Sequence, residues 1–137
     1  MILRILPFLI AMMLPQAAGA ETLRCVLEHV INVRPDGFHE HSTKIKDSEF
    51  FVAIDNQTQK GTSSVCEKSG CATLSEITVI SRSGPGAALR RLVFLWGTVE
   101  LWSLEAFGNS DDYTAAAASL SGWRSQSRFG RCRVVIQ

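Results

Sequence analysis

Residues 89–107 constrain the fold more than any other stretch, because they carry large apolar side chains on both faces of what reads as one β-hairpin. Gly97-Thr98 suits a two-residue turn, with glycine at the position that needs φ > 0. That turn predicts Trp96 opposite Val99, Phe94 opposite Leu101, Leu92 opposite Ser103 and Arg90 opposite Glu105. Val93, Leu95, Trp102 and Leu104 fall on the other face, so Trp96 and Trp102 are expected to point to opposite sides. A two-stranded unit with two apolar faces cannot stand alone in water. It needs further strands on its flanks and a cover over each face.

The rest of the chain supplies strands. Residues 22–33 alternate apolar and polar positions, and Val30, Ile31 and Val33 favour a pleated surface. Arg34-Pro35-Asp36-Gly37 is a turn by its chemistry. Residues 38–48 read as a polar loop, or an edge strand blunted by Lys44 and Lys46. Residues 49–55 form a short strand, 62–72 a cysteine-bearing loop, and 73–82 another strand. Residues 123–129 and 131–137 read as two strands bent at Gly130, with Cys132, Val134 and Ile136 inward. Residues 111–121 are ambiguous: four consecutive alanines favour a short helix, whereas every neighbouring segment reads as strand, which tips the reading to strand. The fold class that follows is all-β, a small antiparallel barrel or sandwich closed by pairing of the first and last strands.

The first residues stand apart. Arg4 precedes an apolar run of about ten residues, and Ala18-Gly19-Ala20 is a small-x-small cleavage site. Residues 1–20 are therefore expected to be a signal peptide, and 21–137 a single disulfide-stapled β domain in a secreted or periplasmic protein. After cleavage no run is long enough to span a membrane. All four cysteines fall after the signal, which points to two disulfides. The expected pairs are Cys66 with Cys71, closing a small loop, and Cys25 with Cys132, tying the two ends of the domain. Two isolated cysteines and one close pair do not make a zinc site. The reading calls for no cofactor and no resident metal.

Charge is unevenly spread. Residues 21–112 hold nine lysines and arginines against thirteen acids, while residues 123–137 hold Arg124, Arg128, Arg131 and Arg133 with no acid. The near-neutral total argues against nucleic acid as a partner and leaves room for a local anion-binding edge. Those four arginines, with Trp102 as an exposed aromatic, are the expected ligand-binding residues. The plainer reading of the arginines is a solvated outer face. His39-Glu40-His41 is the nearest approach to a metal set, since His39 and His41 share a strand face and His29 can approach across the turn. Neither a nucleophile elbow nor a catalytic acid pair stands out. The leading expectation is an exported, non-catalytic binding or inhibitor-like module for an anionic ligand or protein partner. The alternatives are a small metal-dependent hydrolase using His39 and His41, and a structural envelope protein. Small disulfide-closed barrels of the bacterial periplasm, among them lysozyme inhibitors, share this general plan, but their motif residues do not occur here. Oligomeric state is not legible.

Overall fold

The computed structural model describes residues 19–45, 49–84, 86–121 and 124–135, with the side chains of residues 120, 121 and 124 outside the description. Most of the expected signal segment, Trp123 and Ile136 therefore lie outside the described residues. Among the described residues nine strands follow in order: β1 Ala20–Val33, β2 His39–Ser42, β3 Glu49–Asp55, β4 Lys60–Glu67, β5 Gly70–Arg82, β6 Leu89–Trp96, β7 Glu100–Phe107, β8 Asp112–Ser121 and β9 Arg124–Val134. Apart from β2, each pairs antiparallel with the next around the sheet, and β9 returns to pair with β1. The result is a closed eight-stranded antiparallel barrel with β2 as one extra strand. Closure pairs the edges that an open sheet would expose.

Strand β1 is long because it serves three partners. Its first half, Ala20–Val26, pairs with β3, and its last four residues, Val30–Val33, pair with β2 on the same edge. Its other edge runs along β9. Cys25 and Cys132 are direct partners in that register and are disulfide-bonded, as are Cys66 and Cys71 across the β4–β5 hairpin. The segment expected as a cysteine-bearing loop is thus a tight hairpin, whose cross-link sits beside its turn. Two such bonds fit an oxidising, extracellular-type compartment. No helix among the described residues is long and apolar enough to cross a membrane.

The β6–β7 hairpin departs from expectation by one residue. Its loop has three residues, Gly97-Thr98-Val99, and the pairs are Trp96 with Glu100, Phe94 with Trp102, Leu92 with Leu104 and Arg91 with Glu105. Gly97 takes φ 61° and donates its backbone N–H to the carbonyl of Glu76 at 2.8 Å. A one-residue slip moves every side chain of a strand to the other face. The observed register buries Trp102, Leu104 and Ala106 and turns Leu101 and Phe107 outward. The two-residue turn would have buried Leu101, Ser103 and Glu105 instead. The gain in buried apolar surface explains the choice. Trp96 and Trp102 consequently share the inner face and stack, 5.5 Å between ring centroids, rather than pointing apart.

Residues 112–121 form strand β8, not a helix. Ala115 and Ala117 lie opposite Leu104 and Trp102, so small side chains leave room for the bulky partners on β7. The last segment is one strand rather than two. Gly130 lies within it, opposite a bulge in β1 between Leu27 and His29. A Cβ on Gly130 would lie 2.1 Å from the carbonyl oxygen of Val26. Gly61 is as tightly placed, 1.9 Å from the carbonyl oxygen of Ala53. Backbones approach closely where a barrel bends, and only glycine fits there.

Inside, Leu23, Val52, Ile54, Ile77, Leu92, Phe94, Trp102 and Leu104 form the packed core. Phe50 meets both Trp96 and Trp102 edge-on, at 4.9 and 5.3 Å between centroids. An eight-stranded barrel has an interior that side chains can just fill. The middle is filled by Phe94, Trp102 and Leu104; a cavity of about 290 Å³ opens at one end, beside Arg90 and Tyr113, and another at the end toward Trp96, Val30 and Ser42.

Candidate functional site: the open mouth of the barrel

At that end lies a cavity of about 390 Å³. Leu27 and Val30 of β1, Phe50 of β3, Leu74 of β5, Trp96 of β6 and Ile45 of the β2–β3 connection give it an apolar wall. Ser42, Lys44, Gln126 and Arg128 complete the lining. The volume falls in the range of small-molecule sites, which are mostly apolar with a few convergent polar groups.

The polar groups form one chain across β7, β9 and β1. Glu100, 8% exposed, accepts the indole N–H of Trp102 at 2.6 Å and a guanidinium N–H of Arg128 at 3.4 Å. The Nε of Arg128 donates to Oε1 of Gln126 at 2.6 Å, and Nε2 of Gln126 donates to Oδ1 of Asn32 at 2.7 Å. A carboxylate taken out of water needs such partners. Glu100 faces inward because the three-residue loop sets its register, and Arg128 because β9 alternates inward at Gln126, Arg128, Gly130 and Cys132. The Arg128 side chain is 31% exposed, so this cation is anchored at its base and still reaches the mouth.

The expected arginine row divides. Arg128 enters the mouth, whereas Arg131 and Arg133 project from the outer face. Arg124 has its backbone in β9 and its side chain outside the description. Arg133 binds both carboxylate oxygens of Asp112, at 2.6 and 3.0 Å, and Arg131 meets Glu28 at 3.4 Å. Arg24 meets Glu49 at 2.7 Å. The hydrogen bond from Arg133 holds the Asp112 carboxyl below its ordinary range, and Arg24 does the same to Glu49. Arg24 and Arg133 are themselves register partners, so an acid–base–base–acid row crosses β3, β1, β9 and β8. These outer arginines are matched by acids on an exposed face. Trp102 is the second correction: it is fully buried and serves as a floor beam for Glu100, not as an exposed anchor. The half-buried aromatic at the mouth is Trp96.

His39 and His41 lie on the outer side of β2, away from the mouth, and no group of three or more His, Cys, Asp or Glu that could hold a metal occurs among the described residues. Sequence reasoning did not single out Glu100, Gln126 or Asn32. The one available signal was an acid two residues before a core tryptophan, which becomes legible only once the hairpin register is known. Comparison with family models, curated proteins and solved structures finds no match to this chain.

Proposed function

We propose that this protein is a non-catalytic binding module, acting after export, that takes a small amphipathic molecule with an anionic head into the barrel mouth. The observation that carries the reading is Arg128, an inward guanidinium braced by Glu100 and Gln126 and opening onto a cup with an apolar wall. The tail of the ligand lies against Leu27, Val30, Ile45, Phe50, Leu74 and Trp96. Its carboxylate or comparable anion meets Arg128, with Lys44 at the rim. Glu100 fixes the guanidinium in place, so little rotamer entropy remains to be lost on binding. It also repels an anion that goes too deep. The reading keeps the anionic ligand expected from the sequence and reduces the arginine row to one member.

The test compares decanoate with decanol and decylamine in titrations followed by tryptophan fluorescence. A hydrogen bond to a charged group contributes about 1.5–3 kcal/mol, so decanoate should bind roughly tenfold or more tighter than decanol. Arg128→Gln should abolish that preference while leaving the weaker apolar binding. Equal affinity for all three compounds, or no binding, would contradict the proposal.

A further inference from the structure

A second feature lies outside the mouth and owes nothing to it. Before the bulge, β1 buries Leu23, Cys25 and Leu27, and unbroken alternation would bring His29 inward next. The bulge between Leu27 and His29 shifts the phase: Val30 is buried, and His29 faces out. Bulges commonly re-aim a side chain in this way. Strand β2, which the closed ring does not need, then sets Ser42 opposite Val30 and His41 opposite Ile31. His41 therefore projects from the same outer face as His29. The Nδ1 of His29 and the Nε2 of His41 lie 3.1 Å apart, and both rings are exposed.

We infer that His29 and His41 form a two-imidazole site for a divalent transition metal, with Cu(II) the best-fitting ion. Imidazole nitrogens bind such metals at about 2.0–2.1 Å, so two of them at angles between a right angle and the tetrahedral value stand about 2.8–3.4 Å apart. The pair already holds that separation; with 5.3 Å between centroids the rings meet nearly head on, so each exposed ring turns to aim its lone pair at the metal. In the metal-free protein one ring nitrogen donates its hydrogen to the other. On binding, His29 carries its proton on Nε2 and His41 on Nδ1, and both facing lone pairs go to the metal. Both rings stay neutral, so no proton is released from a neutral pair. Solvent reaches both rings and permits the change of tautomer. With only two protein ligands the remaining positions go to water. Imidazole suits Cu, Ni and Zn, and for a given site affinity peaks at Cu(II) in the first-row series.

Calorimetric titration of the full domain with copper(II) chloride and zinc(II) chloride, in a non-chelating buffer, tests this. Cu(II) should bind at one equivalent and more tightly than Zn(II). His29→Gln and His41→Gln should each weaken Cu(II) by at least the roughly 10–100-fold that loss of a mere supporting partner causes at metal sites. His39→Gln should leave the affinity close to wild type. Electron paramagnetic resonance of the Cu(II) form should report two coupled imidazole nitrogens, falling to one in either variant. Circular dichroism of the metal-free variants should match wild type, since the altered side chains are exposed. Unchanged Cu(II) affinity in His29→Gln would overturn the inference. So would a loss confined to His39→Gln and His41→Gln, which would put the metal on β2 alone.

Discussion

Cys25 and Cys132 face one another across β1 and β9, with 4.0 Å between their Cα atoms and 107 residues between them in sequence. The bond therefore fastens the seam at which the sheet becomes a barrel. In the chain-entropy account, a loop of that length contributes about 4–5 kcal/mol, against about 2 kcal/mol for the short Cys66–Cys71 loop. Urea denaturation of Cys25→Ala/Cys132→Ala and Cys66→Ala/Cys71→Ala variants should rank the losses in that order. The reverse order would mean that the β4–β5 hairpin, not the seam, limits stability.

Gly130 and Gly61 should tolerate no side chain. Their added Cβ atoms would meet the carbonyl oxygens of Val26 and Ala53, which are backbone and cannot swing aside. Gly130→Ala and Gly61→Ala should each destabilise by about 1–3 kcal/mol or more, the range for overpacked sites. By contrast Gly108, with φ 57° and no atom within 4 Å of an added Cβ, should suffer only from backbone strain. Thermal denaturation of the three variants, side by side, checks the ranking.

Among the described residues, three carboxyls are held below their ordinary values and contribute to the acid limb of stability. Arg24 lowers Glu49, the backbone N–H groups of Thr58 and Gln57 lower Asp55, and Arg133 lowers Asp112. Each folded-state value lies below the unfolded one, so the unfolded chain binds more protons in acid. The stability from these groups is complete above about pH 5 and is lost as pH falls below about 4. Asp55→Asn keeps an oxygen to accept from Gln57 and Thr58 but cannot titrate. Its urea midpoint should fall less steeply between pH 5 and pH 2.5 than that of wild type. An identical slope would remove Asp55 from the account.

Glu100 can be tested apart from any ligand. Glu100→Ala leaves the buried indole N–H of Trp102 without its acceptor and Arg128 without its counter-charge, and should cost about 1–3 kcal/mol. Glu100→Gln retains an acceptor for the indole and should recover much of that loss. Equal destabilisation by both would mean that the charge, not the hydrogen bond, holds the floor of the mouth.

The all-β closure was legible because the evidence for it is local: alternating segments, turn chemistry and two cysteines on the inner faces of the terminal strands. The hairpin register was not. Gly97-Thr98 satisfies a two-residue turn by itself, and only the competing claims of Trp102 and Leu101 for the interior select three residues. That single shift hid Glu100 and misplaced Trp102, so the mouth was missed while one of its residues, Arg128, was chosen for a different reason. The alanines of β8 were equivocal because their strand preference comes from Trp102 and Leu104 beside them, not from their own propensity. The bulge that turns His29 outward leaves no mark in residues 22–33, since Gly130, its counterpart, lies about a hundred residues away.

The most direct measurement of the central claim is where an amphipathic anion sits. Methyl and backbone NMR spectra should be recorded as decanoate is added. The methyls of Leu27, Val30, Ile45 and Leu74 and the side-chain Nε–H of Arg128 should shift in a saturable, common curve. Val52, Ile54 and Leu104, fully buried in the core and outside the lining of the mouth, should stay still. Shifts centred on Arg24, Arg131 and Arg133 instead, with the mouth unmoved, would contradict the account and return the anion site to the outer face of the sheet.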